Sequence, residues 1–347
     1  NGAIVFERFD KLKRGKGYAL EWMFEKILNM ENKYDAICVF DADNLISANF
    51  LKEMNKQLSK GYKVIQGYID SKNPLDSLIS ASYSISYWLN NRFFQLARYY
   101  LGLSCIIGGT GFVIATDILK EVGWGATCLT EDLEFTIKLV LQGKKVYWSE
   151  KAVVYDEKPI TLMQSWRQRK RWMQGQADCA CRYVKPLLYK FTKDKDMVAF
   201  DCALYVIQPL IVVISGMMLL FNFFRFILFA DFFEVFNSRN LQSAILFFIT
   251  TYMGIIFIFA EGRASLKVIG YFLLFPFYNL TWIPIIIQGY INKDKKEWSH
   301  TLHTRVLDIA DVENMRRKRY KDYRNYRDYK GVADASTRET KIKQVDI

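Results

Sequence analysis

The stretch YDAICVFDADN, Tyr34–Asn44, decides the fold class. Its apolar run Tyr34–Phe40 has the length of a buried strand, and it ends on Asp41-Ala42-Asp43, an acidic loop where the strand emerges. Upstream, Leu20, Met23, Phe24, Ile27 and Leu28 recur at three- and four-residue spacing, so Tyr18–Met30 is predicted to be a helix. Downstream, Asn49–Lys60 reads as a helix, Lys63–Ile69 as a strand and Asp76–Tyr100 as a long helix. Ile106–Ile114 reads as a strand interrupted by Gly108-Gly109-Thr110-Gly111, followed by a helix that Asp117 can cap and that ends near Gly123. Thr130–Gln142 is a helix closed by Gly143, and Lys145–Trp148 and Ala152–Tyr155 are two short strands. Helix and strand alternate, which predicts an α/β domain with a largely parallel sheet over residues 1–158.

The rest of the chain has a different solvent. Of its 347 residues 51% are hydrophobic, and Met197–Ile291 holds a disproportionate share of them. Pro159 opens a segment whose Trp166, Trp172, Met173, Tyr183, Leu187 and Leu188 are interleaved with arginine and lysine, as expected of helices lying along a headgroup layer. The expected organisation is a catalytic domain over 1–158, interfacial helices over 159–196, transmembrane helices over 197–291 and a basic cytoplasmic tail over 292–347. Three apolar blocks fill the third region: Met197–Phe236, Leu241–Ala260 and Leu266–Ile291. Arg225 in the first block would cost ~2.5 kcal/mol or more at mid-bilayer, which places it near an interface. The net charge of +12 is concentrated in Arg167–Lys195 and Lys293–Arg327, the flanks of the apolar region, which argues for a membrane surface and against nucleic acid. The six cysteines show no paired ligand spacing and there are two histidines, which argues against a zinc site and for buried or lipid-adjacent thiols in a reducing compartment. The chain opens on Asn1 rather than methionine, which suggests a fragment or a processed protein.

Three motifs could carry chemistry, and each has a plainer reading. Asp41 and Asp43, one residue apart at a strand end, could face one Mg²⁺ or Mn²⁺ ion whose shell a diphosphate completes, or could be solvated loop carboxylates. Thr130-Glu131-Asp132 could be a helix cap with acids that suit the dipole, or Asp132 could be a general base facing an acceptor hydroxyl. Gln168, Arg171 and Trp172 share one helix face, where a guanidinium can neutralise a departing diphosphate and an indole can stack on a sugar; the alternative is a surface helix whose tryptophan enters lipid.

Taken in order within an α/β domain that runs into membrane spans, these motifs resemble those of the processive family 2 glycosyltransferases, the group of cellulose, chitin, hyaluronan and poly-N-acetylglucosamine synthases. The resemblance covers roughly Asn1–Arg305. It implies a GT-A, Rossmann-like fold followed by interfacial helices and an all-α transmembrane region. The implied activity is inverting transfer from a UDP-sugar, UDP-N-acetylglucosamine foremost, to a growing β-linked polysaccharide. It also implies Mg²⁺ or Mn²⁺, a lipid bilayer as partner, and a multi-pass plasma-membrane protein with a cytoplasmic catalytic domain. Carried over by position, Asp43 would ligate the metal and Asp41 would help hold nucleotide and metal. Asp132, with Glu131, would be catalytic, Arg171 and Gln168 would contact diphosphate or acceptor, and Trp172 would stack on the terminal sugar. Lys16 matches a nucleotide-proximal G-K-x-x-A-L stretch, and Gly108, Gly109, Thr110 and Gly111 match the acceptor-side loop. Trp298–Arg305 resembles a segment that gates the bound nucleotide, with Trp298 and Arg305 at its ends. The family's first acidic motif has no counterpart, so the chain is expected to begin after it. A lipid-linked single-addition transferase and a membrane scaffold or polymer channel that has lost catalysis are the alternatives.

The two basic flanks both belong on the cytoplasmic side, which requires an even number of crossings from three blocks. Either Met197–Phe236 folds back within itself, the reading favoured by Asn222 and Arg225, or Leu266–Ile291, with Pro276 and Pro284, is bent and does not span.

Overall fold

The run Ala36–Val39 is strand β1, and it follows helix α1, Lys16–Leu28, which places the acidic turn at residues 41–43 directly after the strand. The computed structural model describes residues 2–10, 12–126, 128–229, 252–260, 263, 265–295, 309 and 311. Strand β2 is Leu45–Ile46, helix α2 Phe50–Leu58 and strand β3 Val64–Ser71, the last buried along its whole length. Helix α3, Leu78–Asn90, starts at Ser77 in a reciprocal cap with Ser80. It continues through a π-helical turn, Asn91–Leu96, into α4, Ala97–Tyr100. The wider π turn buries the amides of Asn91 and Gln95. Strand β4 is Phe112–Ala115, α5 Thr116–Val122, α6 Glu131–Leu141 and β5 Tyr147–Asp156.

These strands form one sheet in the order β1-β4-β3-β5-β2. Only β3 and β5 run parallel; β1 with β4, β4 with β3 and β5 with β2 are antiparallel. The sheet is therefore mixed, and the largely parallel sheet is corrected. A strand buried on both faces is a continuous apolar run whichever way it runs, so its sequence carries no direction.

Other local readings are corrected on equally physical grounds. Lys145–Trp148 and Ala152–Tyr155 are one strand, in which the exposed pair Glu150-Lys151 sits at a bulge opposite Gly67 and Tyr68 and not in a turn. Ile106–Gly111 is not strand: Gln95 exchanges two hydrogen bonds with the Ile106 backbone, and Gln66 accepts from the Gly108 amide at 2.9 Å. Asp117 does not cap α5 but lies in its first turn, accepting from the Ile118 amide and pairing with Lys63 at 2.6 Å.

Helix α7, Leu162–Asp194, begins at a Thr161–Gln164 capping box, and α8, Met197–Phe229, follows it directly. Helix α8 is continuous over 33 residues, so Met197–Phe229 does not fold back on itself. Among the described residues two segments are long and apolar enough to cross a membrane, Met197–Met218 and Leu266–Ile291. The second divides at Thr281 into α10, Leu266–Leu280, and α11, Trp282–Ile291; α9, Gly254–Ala260, precedes it. Helix α10 packs on α3 and α11 on α7. The α10–α11 pair, hereafter the elbow, is fastened at one end to the sheet and at the other to α7. Just before it, Arg263 donates to Asp70 at 2.6 Å; just after it, Gln174 donates to the Asn292 and Lys295 carbonyls at 2.8 and 3.0 Å. Residues 230–251, the side chains of Asn222 and Arg225, and the tail with Trp298, Arg305 and Arg316–Lys330 lie outside the described residues.

Candidate active site

The acidic turn is set by its neighbours. Asn44 Oδ1 accepts from the Asp41 amide at 3.1 Å and from the Thr110 hydroxyl at 2.8 Å, while its Nδ2 donates to Asp156 at 3.2 Å. One amide thus joins the turn after β1, the glycine loop before β4 and the end of β5. Lys16, the first residue of α1, ion-pairs with Asp41 and donates to the Gly109 carbonyl at 2.8 Å. Gly109 has φ +83°, and a Cβ there would lie 3.3 Å from Asp132 Oδ2. The loop backbone therefore touches Lys16 on one side and Asp132 on the other, and a side chain at Gly109 would be strained twice over.

The other loop residues serve packing. A Cβ at Gly108 would meet Ile69 at 2.6 Å and one at Gly111 would meet Val154 at 2.3 Å, so packing against these side chains requires glycine at both positions. Thr110 is spent on Asn44 and the Asp41 amide.

Glu131 and Asp132 open α6. Thr130 stands at the cap position, but its hydroxyl makes no capping bond, which corrects the capping reading. Glu131 is buried and Asp132 is half-open to the cavity. Burial and the Asp132 charge push Glu131 up to about 7; burial raises Asp132 too, against the pull of the Leu133 amide, Lys16 and Arg171. Two adjacent carboxyls whose affinity for a proton is raised, beside two cations, are suited to accept a proton near neutrality.

Helix α6 is clamped to α7. Buried Glu134 accepts from Arg182 and the Tyr183 hydroxyl at 2.7 Å each and from the Cys128 amide at 2.9 Å. Gly175 of α7 lies against Thr130 so closely that a Cβ would come within 2.5 Å of its hydroxyl. This contact brings Gln168, Arg171 and Trp172 to the same cavity as the acidic residues. Trp172 is half-buried against the core, edge-on to Tyr83 at 6.1 Å, which is not the position of a lipid-facing anchor.

A single cavity of about 1010 Å³ is lined by Lys16, Asp41, Asp43, Gly108, Gly109, Thr110, Glu131, Asp132, Gln168, Arg171 and Trp172. Gly111 is the one residue of the glycine loop that does not line it. It continues between α3, α8 and the elbow, where Arg98, Gln208, Asn279 and Trp282 join the wall. Sequence reasoning missed these and also Asn44 and Asp156. Only Asn44 had a signal, its place beside the acidic pair.

An α/β domain with an acidic turn after a sheet strand, facing a buried acid on a helix and an arginine on the next, is the arrangement of a sugar transferase. The chain belongs to glycosyl transferase family group 2, whose sequence profile matches residues 36–260. The family implies a GT-A, Rossmann-like fold, a sugar-nucleotide donor and an acceptor. A Bacillus subtilis protein named probable glycosyltransferase YdaM is 28% identical over 165 residues, 47% of this chain and 38% of that protein. A beta-monoglucosyldiacylglycerol synthase of Synechocystis is 26% identical over 150 residues, 41% of this chain and 30% of that one. A probable glycosyltransferase of Sulfolobus acidocaldarius is 26% identical over 206 residues, 57% and 42% respectively. The chain spans less than half the length of the curated relatives it matches.

Proposed function

We propose that this protein is a membrane-bound inverting glycosyltransferase that moves a sugar, N-acetylglucosamine foremost, from a UDP-sugar to a growing β-linked polysaccharide. The observation that carries the reading is the convergence of Lys16, Asp41, Asp43, Asp132, Gln168, Arg171 and Trp172 on one cavity from four separate stretches of chain. Asp132 removes the proton of the acceptor hydroxyl as its oxygen attacks the anomeric carbon, the bond to the diphosphate breaks on the opposite face, and the configuration inverts. Arg171 and Lys16 supply positive charge towards the departing diphosphate, and Trp172 offers an apolar face to the acceptor sugar.

The carboxylates of the acidic turn are hard oxygen donors of the kind Mg²⁺ and Mn²⁺ select, and two of them leave room for diphosphate oxygens. Asp41 is engaged by Lys16, so Asp43 is the principal protein ligand in this reading. A bound ion would neutralise charge on the leaving diphosphate.

The apolar helices, with basic segments on both flanks, support a multi-pass plasma-membrane protein whose catalytic domain is cytoplasmic. Arg263 before the elbow touches the α/β domain and Asn292 after it touches α7, which supports Leu266–Ile291 entering and leaving on the same side, one of the two ways to the even number of crossings that the charge pattern requires. A second reading, glycolipid synthesis, is favoured by the Synechocystis relative. Measuring UDP release from several UDP-sugars in membranes, with analysis of the product, tests both. A polymer supports the first reading and a monoglycosylated lipid the second; no UDP release from any donor rejects both.

A further inference from the structure

The wall of the cavity beyond Trp172 comes from the elbow. Trp282, the first residue of α11, lines the same cavity as Trp172, and the two indoles pack in one cluster around Met173. Behind Trp282 lies Arg169, one of the largest fully buried side chains in the protein. Its guanidinium sits 4.5 Å from the Tyr278 ring centre and 4.9 Å from that of Trp282, and it donates to the Thr281 hydroxyl at 2.8 Å. Thr281 in turn donates to the Tyr278 carbonyl at 2.6 Å. All three contacts fall at the junction of α10 and α11. Nε and Nη2 of Arg169 meet no hydrogen-bond partner among the described residues. Burying a cation on these terms is unfavourable compared with an apolar side chain of similar size, so stability alone does not account for an arginine here. What the arginine does is tie Tyr278, Thr281 and Trp282 to α7, and with that fix the position of Trp282.

The same wall shows the class of ligand. Beyond the catalytic residues it offers aromatic faces, Tyr87, Trp172 and Trp282, and the amides of Gln208 and Asn279. Arg98, the cation at this end, is already matched by Asp201 through two hydrogen bonds of 2.7 and 3.2 Å. A phosphate or carboxylate would need a cation that is not neutralised; a neutral, hydroxyl-rich ring that stacks on indole does not.

We propose that Trp282, with Trp172, forms a subsite for a neutral pyranose unit of the acceptor, and that Arg169 is the positioning residue that holds Trp282 in it. This rests on reading the cavity as a glycosyl-transfer site. The test is steady-state kinetics in membranes with UDP-N-acetylglucosamine as donor and short β-linked N-acetylglucosamine oligosaccharides as acceptor. Trp282→Ala and Arg169→Met are each expected to raise the acceptor KM roughly tenfold while the donor KM changes much less, and the double variant should be no worse than the weaker single one. If Trp282→Ala does not accumulate, Trp282→Leu serves the same comparison. An acceptor KM that stays at the wild-type value, or that rises in step with the donor KM, overturns the subsite. A wild-type protein that releases no UDP from any sugar nucleotide overturns the functional reading on which the subsite rests.

Discussion

Arg263 donates to Asp70 at 2.6 Å, and Trp88 donates to the other oxygen of the same carboxylate at 2.9 Å. Asp70 lies next to the end of the central strand and Arg263 stands before the elbow, so one buried contact joins the sheet to the apolar helices. Burial opposes the charge on Asp70, but Arg263, the Trp88 indole and the Ser71 amide outweigh it and hold the carboxyl below its ordinary range. Replacing Asp70 by asparagine takes away the negative charge that faces Arg263 and one of the two acceptor oxygens. Asp70→Asn is expected to destabilise the protein by about 3–5 kcal/mol, read as a lower thermal midpoint in detergent. Because the folded pKa is lowered, this contribution holds above the ordinary carboxylate range and disappears only as pH falls through the lowered value. A midpoint equal to wild type at neutral pH would show the pair to be dispensable.

The same contact predicts topology. Cysteines placed at Ser265 and Lys295, both exposed at the two ends of the elbow, should react with a membrane-impermeant maleimide only after the cytoplasmic face is opened. Labelling of the two positions from opposite sides would mean that Leu266–Ile291 crosses the bilayer.

Asp132→Asn should cut turnover by roughly 10²–10⁴-fold while leaving UDP-sugar binding near wild type. With both carboxyls raised by burial, the acid limb of the kcat/KM profile should lie above the ordinary carboxylate range. The raised pKa of Glu131 also means that ionising it costs stability, a penalty absent at acid pH and complete above about 7. Glu131→Gln should therefore raise the thermal midpoint at alkaline pH and not at acid pH. Equal effects at both pH values would contradict the burial argument.

Chelation should abolish transfer, with recovery on adding Mg²⁺ or Mn²⁺, and Asp43→Ala should respond to neither ion. Full turnover in the presence of chelator would remove the metal from the mechanism.

Gly175→Ala separates helix propensity from packing. In an exposed helix the change would gain about 1 kcal/mol, but here the new methyl meets the Thr130 hydroxyl and backbone nitrogen at 2.5 and 2.7 Å. The expected outcome is a net loss of about 1–3 kcal/mol together with lower activity, because α7 must move off the loop that carries Glu131 and Asp132. Stability at or above wild type would mean that the clash relaxes without cost.

Much of this protein was legible in its sequence because the relevant physics is local. Apolar spacing located α1, α2, β1 and β3, and the acidic turn, the Glu131-Asp132 pair and the Gln168–Trp172 face each follow from residues within a turn or two of one another. Long-range contacts decided what local pattern could not. Strand direction depends on which edge a returning chain joins, and a doubly buried strand looks the same from either end; hence the mixed sheet and the single β5 were missed. The close packing of Ile69 on Gly108 and of Val154 on Gly111 is likewise a product of folding, which alone brings those side chains there. Leu266–Ile291 has the hydropathy of a span, and its contacts to Asp70 through Arg263 and to Arg169 and Gln174 of α7 are legible only in the folded chain. Hydropathy reports the solvent a segment tolerates. Its path depends on partners far away in the chain, and those exist only in the folded structure.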